Sequence, residues 1–97
     1  MEIKWNKLAV KQLLDAIQYL EDNELFAYAE KIEKEILSKI KSLPKTSQIY
    51  QLDRLKKKNN GDFHAFEVDR YRISYRKMPK EIRILRIRHS SRRPFTR

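Results

Sequence analysis

The hydrophobic period changes once along this chain, and that change limits what it can fold into. Up to Pro44 the apolar residues recur at helical spacing; from Phe63 onward they alternate. Val10, Leu13, Leu14, Ile17 and Leu20 fall on one helical stripe behind Asn6, a residue type that caps helix N-termini well. Leu25, Ala29, Ile32, Ile36, Ile40 and Leu43 repeat at spacings of four and three. Glu21-Asp22-Asn23 predicts the break between the two helices, with Asn23 capping the second, and Pro44 predicts its end. Antiparallel helices joined by about three residues make a helical hairpin. Glu30 with Lys34 and Glu35 with Lys39 stand four apart on its outer face. Such pairs contribute a few tenths of a kcal/mol, so these acids read as solvated surface rather than as catalysts.

Ile3-Lys4-Trp5 alternates and predicts a short first strand. Lys45 to Ser47 reads as a loop, and Ile49 to Leu55 fits helix and strand equally. Asn60-Gly61, which contains the only glycine, predicts a tight turn. Three strand-like runs follow, Phe63 to Val68, Tyr71 to Met78 and Ile82 to His89, with Asp69-Arg70 and Pro79-Lys80 as turns. They predict an antiparallel meander. At 97 residues the chain is expected to be one α+β domain, 1–97, with an N-terminal strand and a helical hairpin packed on a small antiparallel sheet.

Strand parity then locates the charge. Tyr71, Ile73 and Tyr75 share one face, and Arg72, Ser74 and Arg76 the other; Leu85 and Ile87 share a face opposite Arg86 and Arg88. If the hairpin covers the apolar face, the other face gathers Arg72, Arg76, Arg86 and Arg88, with Arg92 and Arg93 following. Ile84 breaks the alternation, so a bulge within Ile82–Leu85 would shift the register. Residues 1–50 hold eight lysines and eight carboxylates, whereas residues 51–97 hold five lysines and ten arginines against five carboxylates. The net charge of +10 therefore belongs to one part of the chain and points to a polyanionic partner.

Several functions are excluded by what is missing. Without cysteine there is no disulfide and no thiolate metal site, which suits a reducing cytoplasm. Two histidines and no clustered carboxylates make a poor metal-ligand set, and no glycine-rich loop exists to cradle a nucleotide. No cofactor is expected. The N-terminus has no apolar signal core, and no run is long enough to span a membrane, so no membrane partner is expected.

Arginine offers planar, bidentate donors that match phosphate, which makes Arg70, Arg76, Arg86, Arg88 and Arg93 candidate RNA- or phosphate-binding residues. Phe95, after Pro94 near one end, is a candidate base-stacking residue; Phe63, Phe66, Tyr71 and Tyr75 could stack bases but serve equally as core. Metal-independent RNA cleavage needs a base, an acid and cations around the phosphorane. His89, His64, Glu67 and Asp69 are the titratable candidates. His89 ends the arginine-rich strand beside Arg88, where positive charge favours a neutral imidazole. A histidine there can equally well just hydrogen-bond a carbonyl, and His64 could face solvent.

The strand Tyr71-Arg72-Ile73-Ser74-Tyr75, together with Ile84-Leu85-Arg86-Ile87-Arg88-His89 and the following Arg92-Arg93, resembles the RelE/ParE superfamily of bacterial toxins. The order of elements is similar over nearly the whole chain. The resemblance implies a growth-arresting toxin of a type II toxin–antitoxin module, held inactive by a cognate antitoxin with an acidic amphipathic segment. It implies two possible targets. RelE-like members cut ribosome-bound mRNA, which would make Arg72, His89 and Arg92 catalytic. ParE-like members bind DNA gyrase and are not enzymes. Phe63–Val68 lacks the paired lysines of the RelE-like enzymes, and no tyrosine follows Tyr75. mRNA cleavage is the leading expectation, gyrase inhibition the alternative, and a non-toxic basic nucleic-acid-binding module a second alternative.

Overall fold

The computed structural model describes residues 1–46 and 62–89. Their elements run β1 (Glu2–Trp5), α1 (Lys7–Asp22), α2 (Phe26–Thr46), β2 (Phe63–Val68), β3 (Tyr71–Lys77) and β4 (Glu81–His89). The ambiguous stretch Ile49–Leu55, the Asn60-Gly61 turn, and Arg92, Arg93 and Phe95 lie outside the described residues.

The helix break falls where expected, but by another device. Leu25 N–H donates to Leu20 O at 2.9 Å and Glu24 N–H to Glu21 O at 2.9 Å, closing α1 in a Schellman motif. Glu24 takes the left-handed position at φ 61°, where a non-glycine residue costs about 1–2 kcal/mol. Asn23 caps the end of α1, donating from Nδ2 to Tyr19 O at 2.8 Å, rather than starting α2. Pro44 does not end α2, which runs on to Thr46. Glu30 meets Lys34 at 3.0 Å as expected, while Glu35 lies 3.9 Å from Lys31.

The sheet order is β1-β4-β3-β2. β2, β3 and β4 form the expected antiparallel meander, and β1 joins β4 in parallel, so the sheet is mixed rather than purely antiparallel. The helical hairpin closes one face. Ile32, Ile36, Ile40 and Leu43 of α2 and Ala9 and Leu13 of α1 pack with Phe66, Val68, Tyr71, Ile73, Tyr75, Ile82, Ile84 and Ile87. Burying one such large aliphatic side chain stabilises the fold by about 1.5–3 kcal/mol.

The α1 stripe is partly rotated from the sequence expectation: Leu13 and Leu20 are buried as expected, but Val10 and Leu14 are exposed and Ala9 enters the core. The cause is where α1 sits. It packs against both α2 and β4, beside the stretch of β4 that β1 leaves uncovered. Pairing with β1 stops at Trp5 opposite Ile84. Beyond that point Asn6 N–H donates to Ile84 O at 2.9 Å, and Gln12 Oε1 accepts the Ile87 N–H at 2.8 Å. A polar residue at position 12 thus faces the sheet because β4 has backbone donors to satisfy there. At the far end, Tyr28 Oη donates to Asp69 Oδ2 at 2.9 Å, tying α2 to the β2–β3 turn, where Asp69 holds φ 56°.

Candidate functional site: an arginine-rich sheet face

The face turned away from the hairpin is assembled in rows across the strands. Glu67, Arg72 and Arg88 form one row, and Ala65, Ser74 and Arg86 the next. Phe63, Arg76, Arg83 and Lys4 form a third. The anticipated bulge is present: between Ser74 and Tyr75 the register shifts, and Leu85 is the extra residue of β4. Its consequence is that Ile82, Ile84 and Ile87 all reach the core, while Arg83 joins Arg86 and Arg88 on the open face. Leu85 does not share the core face with Ile87 as simple alternation predicts.

Like charges directly opposite one another destabilise a sheet by up to about 1 kcal/mol per pair. Three such pairs occur on this face, Arg72 with Arg88, Arg76 with Arg83, and Lys4 with Arg83. Carboxylates moderate the second. Arg83 places Nε and Nη2 each 3.0 Å from Glu81 Oε2, and its Nη1 donates to Asn6 Oδ1 at 3.3 Å. The Asn6 side chain is therefore engaged with Arg83 and makes no capping bond to α1. Arg76 Nη2 lies 3.5 Å from Asp62 Oδ2, and its guanidinium sits 5.2 Å from the centre of the Phe63 ring. Glu67 stands opposite Arg72 in the first row. Arg86 is exposed, and Arg70 is exposed in the β2–β3 turn.

The site residues named from sequence are divided by this geometry. Arg72, Arg76, Arg86 and Arg88 share the open face. His89 does not: it pairs opposite Tyr71, on the core side, with its ring edge-on to Tyr71 at 5.2 Å and 88°. Arg72 and His89 thus project from opposite faces of the sheet. His64, a weaker titratable candidate that could have faced solvent, is 9% exposed and stacked on Tyr75 at 5.4 Å and 15°. Tyr71 and Tyr75 are 5% and 0% exposed and belong to the core, as does Phe66. Arg92, Arg93 and Phe95 lie outside the described residues.

Arg83, Lys80 and Leu85 were not singled out from sequence. Ile84, out of step with its neighbours, was the available signal, since a bulge there puts residue 83 in phase with residues 86 and 88. Among the described residues no cluster of histidine and carboxylate side chains could hold a metal ion, and no helix is long and apolar enough to cross a membrane.

A helical hairpin closing one face of a four-stranded sheet, with an arginine-rich face left open, defines a small basic α+β domain. The family model described as "ParE toxin of type II toxin-antitoxin system, parDE" matches residues 3–94. The chain belongs to this ParE toxin family, within the RelE/ParE superfamily of toxins. A solved structure described as the chromosomal ParDE TA system from P. aeruginosa is similar, with a TM-score of 0.72 over 92% of this chain and 95% of that one. The two are 21% identical, a likeness that concerns the fold. No curated protein matches the chain.

Proposed function

We propose that this toxin arrests growth by binding DNA gyrase in the bacterial cytoplasm, not by cutting mRNA. One observation carries the choice: Arg72 and His89 leave the sheet on opposite faces. A cleavage site needs its base and its phosphate-holding cation within hydrogen-bond reach of one phosphodiester, about 3 Å from the reacting atoms. Side chains that diverge from two faces of one sheet do not converge in that way. A target-binding toxin has no such requirement. It needs a stable surface, and the arginine face offers one whose charges are partly held in place by Asp62 and Glu81.

The test is pulse-labelling after brief induction in a bacterial host, following thymidine, uridine and methionine incorporation in one culture. DNA synthesis should fail first, and Arg72→Ala should retain most of the arrest. Protein synthesis failing first, with arrest abolished by Arg72→Ala, would restore the mRNA-cleavage reading. Expression without any arrest would leave a basic binding module.

A further inference from the structure

The outer face of the helical hairpin, turned away from the sheet, is apolar along its seam and sorted by charge along its length. Met1 apart, every exposed large hydrophobic among the described residues lies on the hairpin. Leu14 is 60% exposed, and Val10 and Leu37 are each 42% exposed. Helical spacing brings these three together. On α1, Val10 and Leu14 lie on the flank away from Gln12, which reaches β4. On α2, Tyr28 reaches Asp69 and Lys39 Nζ lies over the Phe66 ring, so that flank faces β2 and its turn. Leu37 is on the opposite flank, toward α1. A hairpin that turns at Asn23-Glu24 sets Leu37 level with the stretch between Val10 and Leu14, so the three line the outer seam. The charges beside the seam are separated. The turn end, residues 19–30, carries Glu21, Asp22, Glu24 and Glu30 and no lysine or arginine. The open end, residues 7–11 and 39–45, carries Lys7, Lys11, Lys39, Lys41 and Lys45 and no carboxylate.

We infer that the free toxin pairs with a second copy of itself through this face, the two hairpins lying antiparallel about a twofold axis at mid-hairpin. A twofold interface is isologous, so a patch must complement its own reverse. This one does. Turned end for end, each acidic turn end meets the lysine-rich open end of the other copy, and the leucine seam meets itself. Charge excludes other occupants. A nucleic acid or an acidic segment along the face would be held by the lysines at one end and repelled by four carboxylates at the other. A basic partner would meet the reverse. The face is about 30 Å long and two helices, about 20 Å, wide. Two such faces bury on the order of 1,200 Å², the lower end for a specific interface. The pairing turns both arginine-rich sheet faces outward, so a dimer presents two of them. It is independent of the cellular target.

The experiment is sedimentation equilibrium of the full-length toxin alone over about 1–500 µM, which reads the dimer dissociation constant. Circular dichroism checks each variant; every substituted residue is exposed, so the variants should fold. Leu14→Asp should weaken the dimer by about 100-fold, since symmetry removes two anchors at once. Reversing the turn end (Glu21→Lys with Glu24→Lys) or the open end (Lys7→Glu with Lys41→Glu) should each weaken it by about tenfold. Mixing these two reversed variants should restore association, because each then offers ends opposite in charge to those it meets. Arg86→Gln, on the open sheet face, should change the constant by less than about threefold. A wild type that stays monomeric up to about 500 µM would overturn the inference. So would a Leu14→Asp variant that dimerises like the wild type, or reversed variants that do not associate when mixed. A monomeric toxin that binds a short RNA through Lys7 and Lys41 would also overturn it and make this a nucleic-acid face. None of these results touches the gyrase proposal, which is read from labelling in cells.

Discussion

Replacing Gln12 by leucine should destabilise the protein by removing one acceptor. Gln12 Oε1 takes the Ile87 N–H at 2.8 Å, at a point where β1 no longer covers β4. Ile87 is 3% exposed, so water has little access to replace the lost partner. Leaving a buried amide without a partner costs about 1–3 kcal/mol. For a domain of this size each kcal/mol moves Tm by roughly 4–8 °C, so Tm should fall by at least about 4 °C. Gln12→Glu keeps an acceptor oxygen at the same reach and should cost less than half as much. Urea unfolding gives the stability, and hydrogen exchange at the Ile87 amide locates the effect, with about tenfold faster exchange per 1.4 kcal/mol of lost protection. The leucine variant matching wild type, or the glutamate variant falling as far as leucine, would refute the reasoning.

Two further outcomes follow from the fold. Burial, and then the hydrogen bond donated to Asp69, raise the Tyr28 hydroxyl above its ordinary 10.0. The native state thus favours the neutral phenol, so this contribution is complete below about pH 10 and is lost as pH climbs through the raised folded value. Tyr28→Phe should cost about 0.5–1 kcal/mol at neutral pH, discounted for solvent, and should show a smaller stability loss above pH 10 than wild type in urea titrations; parallel pH curves would contradict this. Ile73 is 0% exposed in the middle strand, and Ile73→Ala should cost about 2–5 kcal/mol, measured as a lower urea midpoint with unchanged slope.

Much of the architecture was legible in local pattern. The change of period from helical to alternating follows from how side chains leave helices and strands, and it marks the hairpin and the meander without tertiary information. The parity of Arg72 and Arg76 against Tyr71, Ile73 and Tyr75 held because β3 is flanked on both sides and regular along its length. Ile84 announced its bulge because three isoleucines, at 82, 84 and 87, cannot all face one core by strict alternation.

What the chain determined by itself was its two-part design: a charge-neutral hairpin with one apolar side, and a second part, residues 51–97, that carries the whole excess of positive charge. Those are properties of local spacing and composition. The tertiary structure decided what no local pattern encodes. It set the parallel pairing of β1 with β4, which depends on where a strand lands after a helical hairpin. It rotated α1 so that Gln12 rather than Leu14 faces inward, because the uncovered stretch of β4 needed an acceptor. It also moved Leu85 off the core face that alternation has it share with Ile87, since one extra residue shifts the register of the strand.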